Sequence, residues 1–137
     1  MYAVKMLVAV GLFLLSTSGC SRPPMRIVVE EQVITIDLQA FGEYPSDVAG
    51  LRVLDTRKNE VVWELKGRDD PQLGRIKLQI GDNPALPTDI RHGTYQVIVP
   101  GNEQTFALAP RTKYVVEVWT SDASPSSTRI AEFVTPN

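Results

Sequence analysis

From Arg26 onward, apolar side chains recur at every second position and nowhere hold helical spacing over ten residues. A period of two sends successive side chains to opposite faces of an extended chain, so this alternation predicts half-buried strands. In Val33–Ala40, Ile34, Ile36, Leu38 and Ala40 alternate with Val33, Thr35, Asp37 and Gln39. Leu51–Asp55 and Val61–Leu65 flank the polar stretch Thr56-Arg57-Lys58-Asn59. That arrangement predicts a hairpin with Leu51, Val53, Val61, Trp63 and Leu65 on its inner face. Ile76, Leu78 and Ile80 alternate with Lys77 and Gln79 in a further short strand. Residues 26–137 therefore read as one all-β domain without internal repeats.

Breakers punctuate these strands. Gly42–Gly50 is rich in Gly, Pro, Ser and Asp, and Gly81–Gly93 carries Pro84 and Pro87, so both read as loops. Gly93–Val99 is a strand candidate ending at Pro100-Gly101. Pro at the second and Gly at the third turn position suits a type II turn, because Gly tolerates positive φ. Gln104–Leu108 would then be the returning strand.

Phe106–Val118 holds Leu108, Pro110, Thr112, Tyr114, Val116 and Val118 in the pattern Leu-x-Pro-x-Thr-x-Tyr-x-Val-x-Val. This resembles the strand E to strand F corner of fibronectin type III and related immunoglobulin-like domains. The resemblance implies a tyrosine corner built by Leu108, Pro110 and Tyr114. In such a corner the ring packs inward while the hydroxyl bonds backbone a few residues upstream. Arg129–Pro136 is similar to the family's last strand. Over Arg26–Gly101 the likeness is topological only: Val33–Ala40 lacks the family's early Trp, and Arg75–Val99 is longer than seven strands require. The implied fold is a two-sheet antiparallel immunoglobulin-like sandwich.

Before Arg26 the composition changes. Lys5 precedes the ten-residue apolar run Met6–Leu15 and then small residues, the layout of a secretory signal. Spanning a bilayer takes roughly 20 apolar residues, so the run is too short for a transmembrane helix. Thr17 and Gly19 are small enough for an ordinary signal peptidase to cut after Gly19. Leu15-Ser16-Thr17-Ser18-Gly19-Cys20 also resembles the lipobox of bacterial lipoproteins, with Thr17 where that family prefers Leu. The resemblance implies removal of residues 1–19 and acylation of Cys20, by diacylglycerol and a further chain such as palmitate. Acylation would consume the chain's one thiol, which in an exported protein invites intermolecular disulfides. Two or three acyl chains anchor far more firmly than one. Ser21 lacks the Asp that retains Gram-negative lipoproteins at the inner membrane, which favours the outer membrane. Ser21–Met25 reads as a tether stiffened by Pro23-Pro24, reaching at most ~17 Å at ~3.4 Å per residue.

Removing residues 1–19 from the 137 leaves 118, enough to bury a core without disulfide or metal. Without Lys5 that portion carries 13 basic and 16 acidic residues, a charge of −3. No basic cluster offers a track for nucleic acid. The lone His92 has no nucleophile signature beside it, and zinc-type ligand sets are missing from the sequence. Asp69-Asp70 and Asp82 sit in Pro-bounded, turn-like stretches where carboxylates shape turns. The expectation is a protein that is not an enzyme and needs no cofactor. If Tyr114, Val116 and Val118 point inward, then Val115, Glu117 and Trp119 point outward. Trp119 is accordingly a candidate binding residue together with Tyr95; its alternative role is to cap the sandwich or pack under Ser121–Ser127. The expected function is a lipid-anchored envelope module that binds or scaffolds proteins. The alternative is a glycan or peptidoglycan binder using exposed aromatics.

Overall fold

Twelve strands make up the regular structure in the computed structural model, which describes residues 25–38, 46–68, 72–87, 90, 94–101, 105–120 and 128–137. In chain order they are β1 (Arg26–Glu30), β2 (Val33–Asp37), β3 (Ser46–Asp47), β4 (Gly50–Asp55), β5 (Glu60–Gly67) and β6 (Gln72–Leu73). Then come β7 (Arg75–Gln79), β8 (Gly81–Pro84), β9 (Tyr95–Val99), β10 (Thr105–Leu108), β11 (Lys113–Trp119) and β12 (Thr128–Val134). Every pairing is antiparallel. One sheet has the order β1-β2-β7 and a second the order β12-β11-β4-β5-β9, with short pairs β10-β8 and β3-β6 beside them.

The alternation explains how these sheets stack. Ile34, Ile36, Ile76 and Leu78 from the three-stranded sheet share one core with Leu51, Val53, Trp63, Leu65, Tyr114, Val116, Val118 and Phe133 from the five-stranded sheet. The result is a sandwich-like all-β fold in which β2, β4, β5, β7 and β11 bury alternate residues. Trp63 sits at its centre, fully buried. Its ring stacks on Phe106 at 4.9 Å and its Nε1 donates to the Ala85 carbonyl at 2.7 Å. That bond satisfies the one polar atom a buried indole brings.

The β4–β5 hairpin turns through Thr56–Asn59. Asp55 is buried and accepts from the Arg57 and Lys58 amides, while Asn59 takes φ 50°, which asparagine tolerates well. Val61, expected inside, is only half-buried. A register shift between Val53 and Leu54 explains it: Val53 pairs with Trp63, but Leu54 pairs with Val61, so Val61 turns to the outer face.

Three loop expectations also change. Gly50 belongs to β4. Gly81–Pro84 is strand β8, paired with β10 despite its breakers. The buried Asn83 makes this workable: its Oδ1 accepts from Gln79 N–H and its Nδ2 donates to the Gln79 and Gly81 carbonyls. A side-chain amide there does what a neighbouring strand would. Finally, β9 pairs with β5 and β10 with β8, so Pro100-Gly101 passes between sheets instead of closing a hairpin. The Val99–Pro100 bond is cis and Gly101 lacks the positive φ that a type II turn demands.

Hydrogen bonds assign the ends of the sandwich. The start of β1, the start of β4 and the end of β11 lie at one end, where Leu38 bonds Gly74 and Ala49 bonds Trp119. The β1–β2 turn, the β4–β5 turn and Thr135–Asn137 lie at the other, where Thr56 bonds Lys113 and Gln32 bonds Asn137. Met25, placed with the tether by sequence, packs against the core.

Candidate interaction surface

Outward-facing residues of the five-stranded sheet fall into rows set by its register. Trp119 pairs with Gly50, which pairs with Lys66. The next row is Ile130, Glu117, Arg52 and Glu64, and the one beyond it Glu132, Val115, Leu54 and Val61. A solvated sheet face is ordinarily polar at such positions. Here Leu54, Val61 and Val115 are half-buried, while Ile130 and Val134 are 55% and 59% exposed.

Trp119 does point outward, but onto its own sheet. A Cβ on Gly50 would overlap its Cζ2 and Cε2 atoms, so the indole rests where only glycine leaves room. The Arg52 guanidinium carbon lies 5.3 Å from the ring centroid, a cation–π contact. Arg52 also holds Glu64 (Nε to Oε1, 3.0 Å) and Glu117 (Nη1 to Oε2, 3.7 Å). Indole, guanidinium and two carboxylates thus form one connected group around Gly50.

Tyr95 does not share that surface. Its side chain is buried, and its hydroxyl donates to the Val48 carbonyl at 2.5 Å. The cause is visible in β9, where buried Tyr95 alternates with exposed Gln96 opposite Gly67 and Lys66. The strand period itself carried this signal. Its placement removes the Trp119–Tyr95 pair as a joint binding surface.

Around Leu108, Pro110 and Tyr114 the geometry is that of a structural corner. Leu108 and Tyr114 are buried, and the Tyr114 hydroxyl accepts from the Ala109 amide at 2.8 Å. Thr112 is buried too, its amide donating to Thr135 Oγ1 at 2.9 Å. Burial pushes the Tyr114 hydroxyl pKa up from its ordinary value near 10. The Ala109 amide opposes that shift, Asp55 adds to it, and Arg57 and Thr112 oppose it.

Among the described residues no group of three His, Cys, Asp or Glu converges to hold a metal. No helix among them is long and apolar enough to cross a membrane. Cys20 and the preceding segment, Asp69-Asp70, His92 and Ser121–Ser127 lie outside the described residues. Asp82 is exposed in β8, its carbonyl accepting from Gln79 Nε2. No protein-family model, no curated protein and no solved structure matches the chain.

Proposed function

We propose that this chain is a lipid-anchored bacterial envelope protein whose sandwich domain is a non-catalytic protein-interaction or scaffolding module. The single observation that carries the interaction reading is the outer face of the five-stranded sheet, where Leu54, Val61, Val115, Ile130 and Val134 stand in place of polar residues. Apolar surface of that kind marks contact with another macromolecule. The lipobox-like Leu15–Cys20 supports anchoring, and Ser21 supports the outer membrane. The immunoglobulin-like assignment belongs to the same proposal. It is supported by the Tyr114 corner and by the neighbouring β4, β11 and β12, which correspond to the C, F and G strands of such domains.

A two-part measurement on membrane-extracted protein tests this. Intact mass is expected to show a chain beginning at Cys20 with acyl groups added, and Cys20→Ser to lose them. A photo-crosslinker at Val115 is expected to capture protein neighbours reproducibly, whereas one at Thr35 on the other sheet captures none. An unmodified Cys20 sinks the anchor, and equal or absent capture at the two positions sinks the interaction face.

A further inference from the structure

The two sheets carry charge rows of opposite composition, and the difference points to the partner's chemistry. On the three-stranded sheet Asp37 stands directly across from Arg26 on one neighbour and Arg75 on the other. Both arginines reach it, at 3.3 and 3.4 Å. The Asp37 side chain is 4% exposed and the arginines 51% and 62%, so the row's excess charge is positive and sits in water.

On the five-stranded sheet the row is inverted. Arg52 stands across from Glu117 and Glu64, one cation between two carboxylates. Here the outer members are the less exposed ones: 22% for Glu64 and 27% for Glu117, against 37% for Arg52. The excess charge is negative, and it lies between the apolar row Val115-Leu54-Val61 and the Trp119 indole. Lys66, one row away, makes no ion pair with a described residue. Covering this face with apolar side chains alone would strip water from a row that holds two carboxylates to one cation, which is costly.

We infer that the five-stranded face receives an apolar protein segment bearing one lysine or arginine, whose cation is received by the Glu64 and Glu117 carboxylates that flank Arg52. This rests on the interaction reading above and names the partner's chemistry. The apolar rows supply contact area, and the spare carboxylate charge selects among partners through complementarity.

Extended eleven-residue peptides of alternating apolar residues test this against the full chain, their central position being Lys, norleucine or Glu. By fluorescence anisotropy at low salt, the Lys peptide is expected to bind at least tenfold tighter than the norleucine peptide, and the Glu peptide weakest. The Lys advantage should shrink at high salt and vanish in Glu64→Gln/Glu117→Gln. Arg52→Gln frees both carboxylates and should increase the Lys advantage, a sign that loss of folding would not produce. Equal binding of the Lys and norleucine peptides to this face, abolished by Ile130→Lys, overturns the charge inference and leaves the interaction reading standing. Binding of no peptide, or preference for Glu, overturns the inference as well, and the Val115 crosslink then judges the broader reading independently.

Discussion

The two sheets line opposite walls of the same core but present different faces to water. The three-stranded sheet shows Arg26, Glu30, Thr35, Arg75, Lys77 and Gln79, with Val28 half-buried and Val33 its exposed large apolar residue. The five-stranded sheet shows Leu54, Val61, Val115, Ile130 and Val134 around Arg52 and its two carboxylates, with Lys66 and the Lys113–Glu132 pair at its margins. Both follow the same period of two, so the period cannot distinguish them. What distinguishes them is the residue type at outward positions, and that separates a wall built for water from a wall suited to a neighbour.

If this contrast is sound, equal insults to the two faces have unequal costs. Gly50→Val forces Trp119 off its seat and is expected to destabilise by about 2–3 kcal/mol in urea denaturation. Thr35→Val on the other face, equally β-branched, should stay within about 0.5 kcal/mol. Similar values for the two would mean that the indole is not seated on Gly50. A smaller difference separates the charge rows. Asp37→Ala removes the buried carboxylate that both solvent-exposed arginines reach and should cost about 1–2 kcal/mol. Glu117→Ala leaves Arg52 still paired with Glu64 and should cost no more than about 0.5 kcal/mol.

The smallest effect concerns what the sheets share. Tyr114→Phe should cost about 1 kcal/mol by leaving the Ala109 amide without its acceptor. The sign with pH follows from burial holding the folded phenol protonated. Its contribution is complete below the unfolded value near 10 and declines as pH rises through the higher folded value. Denaturation followed above pH 10 should therefore show the wild type losing stability more steeply than Tyr114→Phe. Parallel curves would mean that this hydroxyl does not drive alkaline unfolding.

Much of the core was readable because alternation needs no partner to be seen. Ile34, Ile36, Leu51, Val53, Trp63, Leu65, Ile76 and Leu78 are all buried. The direction of Trp119 was readable for the same reason, since Tyr114, Val116 and Val118 fix the phase of β11. What escaped depends on contacts between distant segments. Val61 is turned outward by a bulge, and Asn83 earns a strand its place through an amide bridge to Gln79. The β9 and β10 strands look like a hairpin locally yet pair with different sheets. Tyr95 is buried because the period of β9, not its aromatic character, sets which face it takes.

The strand directions at the two ends of the chain have a mechanical consequence. The chain enters β1 at the end of the sandwich that holds Trp119 and leaves β12 at the end that holds the β4–β5 turn. Tension carried from an anchor ahead of β1 to a partner or chain beyond β12 would thus pull both strands along their own axes. The seven register positions between β11 and β12 would then be loaded together in shear rather than peeled one at a time. A domain fixed to a membrane on one side and held by a neighbour on the other is, by this geometry, pulled in its stiffer direction.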